Sequence, residues 1–121
     1  MNSAHQEPLE LAPGTVVWVS LDPTRGREQR GHRPALVVSS TDYIETVTAL
    51  VMIVPITTVN RGWANHVIVD GRPGLEQPSW LMTEQLRTIS RDRITRISGS
   101  VSLPCLADVR RWLGDFLDLR S

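Results

Sequence analysis

The chain has 121 residues, 40% of them hydrophobic and 21% charged, with a formal net charge of zero. That is one domain's worth of globular core, too apolar for a disordered chain and too evenly charged to coat nucleic acid indiscriminately. No apolar run approaches the ~20 residues of a membrane helix, and a single cysteine, Cys105, excludes an internal disulfide framework.

Residues 1–12 read as a flexible leader before Pro13-Gly14, and 13–121 as a single domain. The leader is polar and acidic where a signal peptide would carry a basic region and an apolar core, so a reducing cytoplasm is expected. Thr15–Leu21 (TVVWVSL) is β-branched and aromatic, which predicts a strand. Asp22-Pro23-Thr24-Arg25-Gly26 breaks it as a turn, and a long polar loop continues to Arg33-Pro34. Ala35–Ser39 and Thr48–Ile56 follow as strands. The latter is apolar at nearly every position, which places it at the sheet centre. Pro55 near its end suits a bulge or the loss of a neighbouring strand. Thr57–Asn65 reads as a loop, His66–Asp70 as a short strand and Asp70-Gly71 as a turn. Ser79–Ile89 reads as a longer strand and Ile94–Val101 as another. The period then changes: Leu106, Val109, Leu113, Phe116 and Leu117 fall on one helical face, with Pro104 as the first helical residue. The expected fold is mainly β with a C-terminal helix, a small and mostly antiparallel barrel.

All thirteen basic residues are arginines, the side chain best shaped for bidentate phosphate contacts. Arg25, Arg27, Arg30 and Arg33 cluster around Glu28, and Arg87, Arg91, Arg93 and Arg96 around Asp92. If the fold joins these stretches, a neutral protein gains a basic face; otherwise they are two solvated hairpin loops. His5, His32 and His66 lack metal-ligand spacing with one another and with Cys105, so no metal or other cofactor is expected. Cys105 precedes an amphipathic helix and reads as a packed thiol.

The loop between the first two strands places Glu28, Gln29, Arg30, His32 and Arg33 within six residues. RNA can be cut without metal by attack of its own 2′-hydroxyl on the adjacent phosphate. That reaction needs a base, a cation or donors on the phosphate oxygens, and an acid for the leaving oxygen. The loop supplies all three residue types, although a merely solvated turn has the same composition.

A resemblance adds to this reading. Val17–Gln29, containing Asp22-Pro23-Thr24-Arg25-Gly26-Arg27-Glu28-Gln29, and then Arg33-Pro34-Ala35-Leu36-Val37-Val38, resemble the opening signature of the MazF/PemK ribonuclease toxins. Pro55-Ile56-Thr57-Thr58 resembles that family's third-strand ending, and Thr83-Glu84-Gln85-Leu86-Arg87-Thr88-Ile89 its later segment. The match runs from residue 14 to 118, with Pro13-Gly14-Thr15 and Thr83 as departures from the usual pattern. The resemblance implies an SH3-like barrel related to MazF and CcdB, a homodimer, and metal-independent, sequence-selective cleavage of single-stranded RNA. It also implies a cognate MazE-like antitoxin lying over the same surface.

It carries catalytic roles onto Arg33 and Thr57, and onto Glu28 as a base or as a partner orienting Arg33. Gln29, Arg25, Arg30 and Thr58 are expected to touch RNA. His32 is either an acid–base group or a loop bystander, and Gln85 either reads RNA or serves the strand. Arg87 contacts RNA or pairs with an acid inside the dimer. Trp63 either stacks on an unpaired base, packs, or meets the antitoxin. Trp18, Trp80 and Trp112 read as core or dimer-interface residues. The alternative function is a non-catalytic toxin that binds a protein such as DNA gyrase, in the manner of CcdB. Such a binder has no need of an Arg33–Thr57 pair.

Overall fold

The computed structural model describes residues 10–20 and 31–119. Among them eight strands form one antiparallel sheet: β1 (Thr15–Ser20), β2 (His32–Val37), β3 (Leu50–Thr57), β4 (His66–Ile68), β5 (Gly71–Arg72), β6 (Trp80–Met82), β7 (Arg87–Ser90) and β8 (Ile94–Val101). Their order is β4-β6-β3-β2-β1-β8-β5, with β7 also paired to β3. Helix α1 (Thr41–Thr46) joins β2 to β3, and α2 (Leu103–Phe116) follows β8.

The near-continuous apolar runs are explained by a sheet covered on both faces. Val16, Leu36, Val54 and Ile56 meet Cys105, Leu106 and Val109 of α2 in one core cluster. Val17, Val19, Ala35, Val37 and Ile53 point the other way, into a second cluster with Ile44 of α1, Ile89 and Ile94. Leu11 packs against that second cluster, and the Ala12 amide donates to Thr15 Oγ1 (3.2 Å). Part of the expected leader thus belongs to the folded unit.

The strand expected over Ser79–Ile89 is interrupted. The Thr83 hydroxyl donates to the Asn65 carbonyl (2.8 Å), and the chain makes a 3-10 turn over Thr83–Gln85. The turn lets one segment meet β3 twice: β6 pairs with Ile56 and Thr57, and β7 with Leu50 to Ile53. The gap falls at Val54-Pro55, where a residue without an N–H is tolerated.

Helix α1 escapes a periodicity reading because it has six residues. Its signals are a Ser40 N-cap, accepting from the Tyr43 amide (3.1 Å), and Arg91, whose guanidinium donates to the carbonyls of Ile44, Val47 and Leu50. Helix α2 is capped by Ser102, and Pro104 is its second residue rather than its first. Its apolar face ends early: Phe116 and Leu117, expected in the core, are 50% and 56% exposed.

Candidate active site

The ends of β1, β2 and β3 open into a cleft of about 650 Å³, lined by Trp18, His32, Arg33, Thr57, Thr58 and Arg96, with residues 74–77 as a further wall. The β2–β3 register pairs Ala35 with Pro55. The ladder ends there, and two residues beyond it Arg33 and Thr57 stand at the ends of these neighbouring strands, where both line the cleft. Arg33 is exposed, and its guanidinium has no ion-pair or hydrogen-bond partner among the described residues. Thr57 Oγ1 accepts the Val59 amide hydrogen (3.1 Å). That bond fixes the hydroxyl while leaving its own proton free to donate.

Strand β8 shapes the rest of the cleft through two irregularities. Val16 pairs with Gly99 but Val17 with Ile97, and Trp18 pairs with Arg96 but Val19 with Ile94. Ser98 and Thr95 are therefore extra residues, as in β-bulges that re-aim side chains beside sites. The Ser98 hydroxyl donates to the Pro73 carbonyl (2.6 Å), and Thr95 Oγ1 to the Trp18 carbonyl (3.2 Å). A Cβ on Gly99 would lie 2.1 Å from the Arg72 oxygen, and one on Gly74 2.2 Å from the Ser98 oxygen. Only glycines allow the 72–74 backbone to lie against β8 and carry the wall at residues 74–77.

A second polar cluster lies beyond the cleft. Buried His66 meets both Glu84 carboxylate oxygens through Nε2 (3.0 and 3.1 Å), and Asn65 Nδ2 donates to Glu84 Oε1 (2.8 Å). Burial raises the Glu84 carboxyl, but the hydrogen bonds from His66, from its own backbone and from Asn65 outweigh it and leave the group below its ordinary value. Burial pushes the Cys105 thiol up, and its sulfur lies 3.5 Å from the Ile68 carbonyl, as expected of a packed thiol.

The structure thus brings Arg33, Thr57, Thr58 and His32 to one cleft. It does not bring Trp63, Gln85 or Arg87 there. Trp63 is half exposed and tilts on the His66 ring, with centroids 4.8 Å apart. Gln85 Nε2 turns to Met82 sulfur (3.7 Å), and Arg87 pairs with Ile53 on β3. Glu28, Gln29, Arg25 and Arg30 lie outside the described residues. Among the described residues, the two arginine stretches meet in the cleft through Arg33 and Arg96, while Arg91 and Arg93 donate to backbone carbonyls. Sequence reasoning missed Trp18 as a cleft residue, because a tryptophan inside TVVWVSL reads as core. It also missed the Glu84–His66 contact, which joins residues eighteen positions apart.

A family profile described as the PemK-like, MazF-like toxin of type II toxin–antitoxin systems matches residues 12–117. Endoribonuclease MazF9 of Mycobacterium tuberculosis is 34% identical over 89% of this chain and 97% of its own length. Endoribonuclease toxin MazF of Escherichia coli is 36% identical over 64% of this chain, and the match spans 66% of that relative's length. MazF from Deinococcus radiodurans superposes with a TM-score of 0.75 at 29% identity, over 92% of this chain and 99% of that one. Its likeness extends to the sheet and the single C-terminal helix.

Proposed function

We propose that this chain, which belongs to the PemK-like, MazF-like toxin family of type II toxin–antitoxin systems, is a metal-independent endoribonuclease that cuts single-stranded RNA at short sequences and thereby stops growth. The observation that carries this reading is the pairing of an unengaged Arg33 with a positioned Thr57 hydroxyl in one cleft. The endoribonuclease names of the relatives support it over the gyrase-binding alternative.

Chemistry assigns the roles. The 2′-hydroxyl attacks the adjacent phosphorus, the 5′-oxygen leaves, and a 2′,3′-cyclic phosphate forms. Arg33 stays protonated, so it neutralises the charge that grows on the phosphoryl oxygens rather than moving a proton. Thr57 donates its free proton to one of those oxygens and holds the group in line. Glu28 is the base or the partner that orients Arg33, and His32, which lines the cleft beside Arg33, is the candidate acid for the leaving oxygen. Gln29, Arg25, Arg30 and Thr58 contact the flanking nucleotides. Trp63, Gln85 and Arg87, outside the cleft, serve longer substrates or the antitoxin. The partner that silences the toxin is a MazE-like antitoxin over the same surface, and the working unit is a homodimer. No helix among the described residues is long and apolar enough to cross a membrane, and the site of action is the cytoplasm, where RNA is met.

Incubating the purified chain with a long defined RNA and mapping the new 5′ ends tests the reading. Cutting at a recurring short sequence, retained in excess EDTA and absent from a folded Arg33→Ala variant, is the expected result. Full activity of Arg33→Ala, or loss of activity in EDTA, removes it.

A further inference from the structure

We propose that Arg96, seated over the Trp18 ring, is a second phosphate-binding residue of the cleft and grips the phosphodiester next to the one that is cut. The inference rests on the endoribonuclease reading and extends it by a subsite on β8.

Four observations carry it. Arg96 lines the cleft together with Arg33. Its guanidinium carbon sits 5.0 Å from the centroid of the Trp18 ring, within the range where the ring's quadrupole attracts the cation. Arg96 has no hydrogen bond or ion pair among the described residues, although Glu76 also lines the cleft. That contrasts with Arg91 and Arg93 on the same stretch, which are tied to backbone carbonyls. Finally, Arg96 lies between the extra residues Thr95 and Ser98, and it stands directly opposite Trp18 in the ladder. A regular β8 would run through this point with unbroken alternation.

The spacing fits a single strand. Strand β1 separates β2 from β8, so Arg33 and Arg96 rise from backbones about 10 Å apart, two strand spacings. Two long side chains at that separation reach neighbouring phosphates of an extended RNA. They would compete for the same one only if both bent inward, and the Trp18 stack holds Arg96 back. The planar, preorganised guanidinium loses little freedom on binding, which favours phosphate over a passing counterion.

The test uses the full chain and an oligoribonucleotide of the mapped cleavage sequence. A series of substrates carries one neutral methylphosphonate at each non-scissile position in turn. For the wild type, one position adjacent to the cut should raise KM at least about tenfold, the size expected for a charge-assisted hydrogen bond. Arg96→Gln should raise KM similarly, leave kcat within a factor of about three, and show no further loss with that same substrate. Arg96→Lys should recover part of the KM. With an uncleavable oligonucleotide lacking the attacking 2′-hydroxyl, the salt dependence of binding should fall by about 0.7 in slope for Arg96→Gln. An unchanged KM and salt slope in Arg96→Gln, or equal additional losses at every methylphosphonate, overturns the subsite while leaving the endoribonuclease reading standing. A wild-type chain that cuts no RNA removes both at once.

Discussion

Replacing Gly99 with alanine tests whether the cleft wall depends on backbone contact with β8. The added Cβ would sit 2.1 Å from the Arg72 carbonyl oxygen and 2.7 Å from the Pro73 carbonyl carbon. Both are main-chain atoms, so no side chain can swing aside, and the strand must retreat about 0.9 Å to reach even 3.0 Å. Overpacking of this kind costs about 1–3 kcal/mol. For a domain of this size that lowers Tm by roughly 3–15 °C. The retreat also strains the Ser98–Pro73 hydrogen bond and the pairing of Arg72 with Ser100. The wall at residues 74–77 then moves away from the Arg33–Thr57 side, and kcat/KM for RNA falls by about 10–100-fold at a temperature where the variant is folded. Gly62→Ala is the control: its φ is +74°, with nothing within 4 Å of the new Cβ. It costs about 1–2 kcal/mol through the left-handed backbone alone and leaves the cleft intact. Thermal unfolding and initial cleavage rates of the two variants decide the matter. Wild-type Tm and activity in Gly99→Ala would refute the reasoning, as would an activity loss no larger than that of Gly62→Ala.

Three other perturbations probe separate parts of the molecule. Thr57→Ala removes one donor and its in-line positioning, and should lower kcat by about 10²–10³-fold with the fold unchanged; a loss below tenfold on a rate assay counts against its role. Glu84 has a folded pKa below its unfolded one, so its contribution to stability is complete above about pH 4.3 and is lost as pH falls through the folded value. The Tm gap between wild type and Glu84→Gln should therefore shrink from about pH 6 to about pH 3, and a constant gap contradicts the assignment. Arg91→Ala frees the carbonyls of Ile44, Val47 and Leu50. It should destabilise by about 1.5–3 kcal/mol in denaturant unfolding while sparing cleavage of RNA by the remaining folded protein.

What could be read from the chain depended on how local the cause was. Strands β1, β2, β3 and β8 announce themselves because β-branched runs are short-range signals, and α2 because its period is. Arg33 and Thr57 line one cleft because β2 and β3 are neighbours, and that adjacency follows from the order of two strong strand signals. By contrast, the break at Thr83 depends on Asn65, a contact between distant residues that no window on Ser79–Ile89 contains. The role of Trp18 was hidden for a related reason. Its indole flanks the cleft opposite a β8 with extra residues at Thr95 and Ser98, and bulges leave little trace in hydropathy. Phe116 and Leu117 keep helical periodicity past the point where sheet remains to be covered, so periodicity alone overstated the core.

The cleft is assembled from residues far apart in order of synthesis. Trp18, Arg33 and Thr57 come from the first half, but residues 74–77 and Arg96 come much later. A ribosome-bound chain that has displayed only β1 to β3 holds Arg33 and Thr57 without the 74–77 wall or a partner strand on β1's free side. For a protein that cuts RNA this ordering matters, because the template and the translating ribosome are the nearest substrates. The cleft as described is complete only once β8 has emerged and paired with β1.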